Sequence, residues 1–331
     1  MTTRAALYPL RFHPLFRQYV WGGRRLGRVL GKPIGEDGPY AESWEVVDHG
    51  EDQSRVRWGS LAGRTLHELF ATCRDDLVGI HQAARRDRFP LLLKFLDANR
   101  NLSVQVHPND AQAARLDPPD YGKTEAWFVV HADPGSRIYA GLREGIDRDA
   151  FATAVRDDRV VDTLHVIEPQ AGDCVFVPAG TVHALGAGLL VAELQQSSDT
   201  TYRIYDWGRV DRDGKPRPLH VQQALDVIDF ARGPIDRVVP RPSDRNGRAR
   251  LVECEAFVWD RWEMSEPFEV GDGRSCHVLT CIDGQAVLEG DPADVPLRRG
   301  DTVLIPAACG SVRCTPSPSG PVLLLDGSLP E

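Results

Sequence analysis

Short apolar runs recur along this chain, each closed by Gly, Pro, Asp or Asn. They begin with LLLKFLD (91–97), LSVQVHP (102–108), EAWFVVHA (125–132), CVFVPA (174–179), LLVAELQQ (189–196) and TYRIYDW (201–207). They continue with FVWDRWEM (257–264), CHVLTCIDG (276–284), QAVLEG (285–290) and TVLIPA (302–307). The runs are short and rich in branched and aromatic residues. This pattern predicts a mainly β chain built as an antiparallel sandwich or barrel. Helical periodicity is scarcer. LAGRTLHELFA (61–71) sets Leu61, Leu66, Leu69 and Phe70 at apolar positions. DRDAFATAV (147–155) opens on an N-cap residue, Asp147, with Phe151 and Val155 four apart. HVQQALDVIDFA (220–231) carries Val221, Leu225 and Ile228 on one face. A few helices packed around a β core are expected.

One strand-and-turn is written twice. GDCVFVPAGTVHAL (172–185) and GDTVLIPAACG (300–310) share Gly-Asp, Val, a branched apolar residue and Pro-Ala at the same offsets. Gly-Asp turns before apolar strands are common, but the matching Pro-Ala favours an internal repeat of one β architecture. Between the copies, ARGPIDRVVPRPSDRNGRAR (231–250) clusters Pro and Arg without apolar periodicity and reads as a linker. A boundary inside it gives units of 1–235 and 236–331, one copy in each.

Composition narrows the partners. The 331 residues suit about two domains at ~150 residues each. The net charge is −9, with no Lys/Arg-rich run, so nucleic acid is not expected as a partner. Cationic residues inside one cleft would still suffice for a small anion. The N-terminus has no apolar signal-peptide core. The longest apolar runs, such as ALGAGLLVA (184–192), fall far short of the ~20 residues that span a bilayer. Seven cysteines include no C-x-x-C pair, which favours reduced, buried thiols in a cytoplasmic protein.

Strand arithmetic then gathers the polar residues. In LSVQVHP, Leu102, Val104 and Val106 take one face and Ser103, Gln105 and His107 the other. Lys123 and Glu125 of GKTEAW likewise share a face, and His183 follows the PAGT turn. Gln105, His107, Glu125 and His183 thus form an N/O ligand set suited to Zn²⁺, or to Mn²⁺, Fe²⁺ or Co²⁺. Each alone has a plainer reading: a structural histidine, a cavity-lining amide, or a surface Lys123–Glu125 pair worth ~0–1 kcal/mol. Together they favour a metal site with a formal charge near +1, which suits an oxyanion. In AELQQSSDTTYRIYDWGR (192–209), Glu193, Asp199, Arg203 and Asp206 are ionisable. Arg203 lies between Tyr202 and Ile204, so its charge is expected to face a polar space.

FPLLLKFLDANRNLSVQVHPND, GKTEAWFVV, VPAGTVHALGAG and SSDTTYRIYDWGR, in this order, resemble the zinc-dependent type I mannose-6-phosphate isomerases, in their short bacterial branch. WGGRRL and AESWEV near the N-terminus fit too. The resemblance covers roughly residues 10 to 230 and returns weakly in the last ~80. It implies two cupin-like jelly-roll domains, double-stranded and antiparallel, the smaller without metal. It puts the metal ligands on Gln105, His107, Glu125 and His183 and the active-site arginine on Arg203. Glu193 matches a family acidic position, and Lys123 and Lys94 match lysines of the substrate site. The large helical insertion of the longer enzymes is missing, so its part in enclosing the substrate has no counterpart.

The implied reaction interconverts mannose 6-phosphate and fructose 6-phosphate through an enediol, with a divalent ion, a base and an acid. Lys123 is the first choice of base and Glu193 the rival. Arg203 stays protonated and is assigned to the oxyanion or the phosphate. Ser103, Lys94 and Arg203 are the choices for phosphate binding. An Fe²⁺ cupin oxygenase and a non-catalytic sugar-phosphate-binding cupin are the competing classes. Only the first copy ends in a histidine, so elemental analysis of the loaded protein is expected to give one zinc per chain; two per chain contradicts this reading.

Overall fold

The computed structural model describes residues 6–80, 87–210, 213–243 and 247–330. Its first half holds strands β1 (Leu15–Arg17), β2 (Glu42–Val46), β3 (Leu91–Ala98), β4 (Val104–Val106), β5 (Glu125–Ala132) and β6 (Ile138–Leu142). These are followed by β7 (Leu164–Ile167), β8 (Cys174–Val177), β9 (His183–Leu185), β10 (Leu189–Gln196) and β11 (Tyr202–Tyr205). They form a six-stranded sheet, β8-β5-β10-β3-β2-β1, and a five-stranded sheet, β7-β6-β9-β4-β11. All pairings are antiparallel, as the alternating runs predict. Trp127, Val129, Val175, Val177, Ile138 and Leu185 pack between the two sheets.

The second half repeats the plan. Its strands are β12 (Arg241–Pro242), β13 (Arg248–Glu253), β14 (Val258–Met264), β15 (Phe268–Val270), β16 (His277–Asp283), β17 (Gln285–Leu288), β18 (Leu297–Arg298), β19 (Thr302–Ile305), β20 (Val312–Pro316) and β21 (Val322–Ser328). The six-stranded order is β12-β13-β14-β21-β16-β19 and the four-stranded order β15-β20-β17-β18. Every strand from β3 to β10 thus has a counterpart from β14 to β21, in the same sheet position. The match extends to single residues. In the first half one row across the sheet reads Trp44, Lys94, Glu193, Trp127, Val175. In the second it reads Arg250, Asp260, Asp326, Leu279, Val303. Val175 and Val303 are the matching valines of the two Gly-Asp segments. Gly172 and Gly300, which open those segments, both hold φ near +90° (94° and 89°), where a side chain would be strained.

The three helices expected from the sequence form, with some boundaries moved. Helix α1 is Leu66–Val78 rather than 61–71. Thr65 Oγ1 accepts from Glu68 N (3.1 Å) and Glu68 Oε2 accepts from Thr65 N (2.9 Å), so this capping box sets the start. Helix α2, Arg148–Arg156, begins where expected, with Asp147 Oδ1 accepting from Ala150 N at 2.8 Å. Helix α3, Val221–Val227, stops before Ile228 because Asp229 N donates to Gly180 O (2.9 Å) in the PAGT turn.

The linker reading also needs correction. Ile235 N bonds Ala140 O (3.1 Å), Val238 N bonds Cys174 O (2.8 Å), and strands β12 and β13 begin within 231–250. This segment docks through its backbone on the bulge of β6 and on the edge strand β8, so it needs no apolar periodicity; its residues 244–246 lie outside the described ones. The first five residues of the N-terminal reading lie outside them too.

The halves share one apolar core. Leu10 exchanges backbone bonds with Leu304 (2.7 and 2.8 Å), and Phe176 meets Phe257 edge-on with centroids 6.5 Å apart. Phe257 is fully buried in the cluster that spans both halves. Phe257→Ala is therefore expected to cost about 3–5 kcal/mol of stability in urea melts.

Candidate metal centre and active site

The six-stranded sheet turns a row of charged residues toward the five-stranded one. Inward positions alternate along each strand, so β5 presents Glu125 and Trp127, β10 presents Glu193, and β3 presents Lys94. From the opposite sheet, β4 and β9 set Gln105 directly across from His183, and β11 sets Arg203 across from Gln105. Loop residue His107 follows β4. Three sheet segments and a turn thus deliver the four residues expected to hold a metal.

His107, Glu125 and His183 could hold a metal ion: their ligand atoms lie within 4.8 Å of one another. All three are buried, each about 1% exposed. Glu125 Oε1 is 3.3 Å from His183 Nε2, and Oε2 is 3.5 Å from His107 Nε2. His107 Nδ1 donates to Thr200 O, and His183 Nδ1 to Thr181 O, each at 2.9 Å. A carbonyl can only accept, so both rings carry their proton on Nδ1 and aim the Nε2 lone pair at the centre. Burial, and after it Lys123, lowers both imidazole pKa values, to about 4 for His183. Both rings are therefore neutral at pH 7, the ligating form. Burial raises Glu125 to about 7 despite the pull of Lys123. A carboxylate so placed fits beside a cation. Gln105 Nε2 lies 3.3 Å from His183 Nε2 and 3.5 Å from His107 Nε2, while its Oε1 accepts from Ser103 Oγ at 3.2 Å. Turning the amide over would bring its oxygen to the ring nitrogens.

The cavity beside this group measures about 320 Å³. Lys94, Ser103, Gln105, Lys123, His183, Glu193 and Arg203 all line it, so the structure brings together the expected substrate residues. Lys123 Nζ donates to Glu125 Oε2 and lies 3.0 Å from His107 Nε2. Both partners are buried, so the surface-pair reading of Lys123 and Glu125 falls. Glu193 accepts from Trp127 Nε1 (2.7 Å) and meets Lys94 Nζ at 3.1 Å. Burial would raise the Glu193 pKa, but Lys94 and Lys123 outweigh it and lower it. Burial would lower that of Lys94, but Glu193 and Glu42 outweigh it and raise it.

Arg203 Nη1 donates to Pro218 O at 3.0 Å, while its buried Nε has no hydrogen-bond partner among the described residues. Burial and then nearby Arg217 lower its pKa. Asp206 belongs to the framework: it accepts from Arg209 and from both Nε (2.8 Å) and Nη2 (2.5 Å) of Arg217.

Sequence reasoning missed Glu42, Trp127, Tyr19 and Arg217 on the cavity wall. Glu42 Oε2 accepts from Trp44 Nε1 (2.5 Å) and lies 3.5 Å from Lys94 Nζ. For Trp127 the signal was present, since it shares the inward face of Glu125 two residues earlier. For Arg217, in a polar stretch without periodicity, none was.

Two family models match the chain: phosphomannose isomerase type I, catalytic domain, over residues 10–134, and mannose-6-phosphate isomerase, cupin domain, over 248–316. The mannose-6-phosphate isomerase ManA of Bacillus subtilis is 34% identical over 306 residues, 92% of this chain and 95% of that protein. The mannose-6-phosphate isomerase of Streptococcus mutans is 34% identical over 300 residues, 90% of this chain and 92% of its own. A crystal structure of the mannose 6-phosphate isomerase from Bacillus subtilis superposes with a TM-score of 0.87 at 29% identity, covering 97% of this chain and 99% of that one. With these likenesses running over nine-tenths of its length, the chain belongs to the type I mannose-6-phosphate isomerase family.

Proposed function

We propose that this chain interconverts mannose 6-phosphate and fructose 6-phosphate. The observation that carries the reading is the buried His107–Glu125–His183 group beside a cavity where Lys123, Glu193 and Arg203 converge. On the wall, Lys94, Lys123, Arg203 and Arg217 outnumber Glu42, Glu193 and Asp199, a balance that suits an anionic sugar. The family favours isomerisation over the oxygenase and binding-only readings.

Gln105, His107, Glu125 and His183 would hold a zinc ion, a donor set of two imidazoles, a carboxylate and an amide oxygen. When bound, the ion supplies Lewis-acid polarisation of the sugar oxygens. Lys123, once it has given up the proton it donates to Glu125, takes the proton from C2 and returns it at C1, while the hydroxyl proton passes from the C2 oxygen to the C1 oxygen. Glu193 is the other basic group in reach, but its lowered pKa makes it the weaker base. It serves instead to hold Lys94 and Trp127 in place. Arg203 keeps its proton and offers its unpartnered edge to the enediolate oxygen or the phosphate, with Lys94 and Ser103 lining the same space. The proposal includes a catalytic unit, 1–235, and a smaller unit without metal, 236–331; the matching strand rows support it. It also includes a cytoplasmic setting, supported by seven free cysteines. No described helix is long and apolar enough to cross a membrane.

A coupled assay with mannose 6-phosphate is expected to show turnover that chelation abolishes and zinc restores. Turnover unaffected by chelation overturns the metal role, and none from the zinc-loaded protein overturns the substrate. Arg203→Ala is expected to lower kcat/KM by about 10²–10³; near-normal turnover removes Arg203 from the chemistry. In deuterated solvent, label is expected in the product; its absence replaces proton transfer with a hydride shift.

A further inference from the structure

Asp120 lies just before the segment that delivers Lys123 and Glu125, and it does not line the cavity. Its carboxylate is nonetheless the meeting point of several donors. Oδ2 accepts from Ser198 Oγ and from Thr200 Oγ1, each at 2.8 Å. Oδ1 accepts from Tyr121 N (2.8 Å) and from Arg88 Nη2, and faces His49 Nε2 at 3.4 Å. Burial would raise its pKa, but His49, Thr200 and Ser198 outweigh it and hold the group ionised.

The loop it holds faces two ways. Ser198 and Thr200 turn their hydroxyls to Asp120, while Asp199 and Thr201, between and after them, line the cavity. The Thr200 carbonyl is the acceptor for His107 Nδ1. Arg88 closes the arrangement from behind: Nη2 donates to Ser197 O at 2.7 Å, and the guanidinium lies 3.9 Å from the centre of the Tyr121 ring. A shift of this loop would therefore move the one bond that sets the tautomer and plane of the His107 ring. In metal sites, loss of that second bond typically costs about 10–100-fold in affinity.

We propose that Asp120 is a positioning residue: by holding the Ser198 and Thr200 hydroxyls it fixes the Thr200 carbonyl against His107, and so sets the affinity of a metal centre it does not touch. The inference rests on His107 being a ligand, as proposed above. The test titrates the metal-free full-length chain with Co²⁺, following its visible absorption, and then displaces Co²⁺ with Zn²⁺. Asp120→Ala is expected to weaken metal binding about 10–100-fold and to alter the cobalt spectrum. Thr200→Val, which keeps the carbonyl and loses the hydroxyl, should shift both in the same direction. Asp120→Asn keeps an acceptor oxygen and should restore most of the affinity. If the parent chain binds no metal, the metal-centre reading fails and takes this inference with it. If the parent binds and both Asp120→Ala and Thr200→Val bind equally well, the inference alone fails, even if their melting temperatures fall. Should Asp120→Ala not fold, Thr200→Val decides.

Discussion

Glu125 is a carboxylate almost wholly removed from water, and its charge dictates what surrounds it. An isolated ion in such a place costs several kcal/mol, so it must be answered or lose its charge. The answer is a ladder of alternating sign. Glu42 meets Lys94, Lys94 meets Glu193, Glu193 lies 4.0 Å from Lys123, and Lys123 donates to Glu125. Each rung is buried, so each depends on the next; removing one member leaves a neighbour's charge without its partner. The two neutral imidazoles at the end of the ladder add no charge of their own, and burial keeps the Glu125 pKa raised despite the pull of Lys123. A cation at His107, Glu125 and His183 would complete the series.

Such a ladder needs strands in strict register, because a slip of one residue would turn the whole row to the other face. The eight-residue strand β10 supplies that constraint: it pairs along its full length with β3 and nearly so with β5. Glu193 is thereby locked between Lys94 and Trp127. The apolar residues between the sheets, such as Val129 and Val175, lie on the same face and hold that register by burial. Stability and site geometry therefore share one cause here. The packing that makes the sandwich is also what spaces the charges.

What could be read from the sequence follows from the range of the interactions involved. Gln105 and His107, or Lys123 and Glu125, sit two residues apart on strands, so alternation alone places each pair on one face. His183 was legible because its Gly-Asp segment has an unarmed twin. The start of α1 was misplaced because apolar periodicity runs on through Leu61, whereas the reciprocal Thr65–Glu68 bonds decide the boundary. The 231–250 segment was misread because pairing through the backbone leaves no mark on side-chain pattern. Least legible was the Asp120 arrangement, whose hydroxyl partners lie 78 and 80 residues away. No local pattern encodes a contact of that separation between polar side chains.

The twin segment also explains how one architecture can carry two chemistries. By register His277 occupies the position of Glu125, opposite Ile305 and Ser328 as Glu125 is opposite Val177 and Gln195. Asp260 stands where Lys94 does and Asp326 where Glu193 does. The polar row is kept, but its charges are rearranged so that they satisfy one another. His277 Nδ1 donates to Asp326 at 2.9 Å, and Arg248 and Arg250 both donate to Asp260. Across from that row, where the first half pairs Gln105 with His183, the second pairs Phe268 with Cys314 and Val270 with Val312, all in its apolar core. Strand β11, which brings Arg203, has no counterpart among the described residues. A jelly roll needs only alternating faces and Gly-Asp turns to form. The few inward positions near its mouth are free to vary, and a carboxylate surrounded by imidazoles in one copy becomes an imidazole held by a carboxylate in the other.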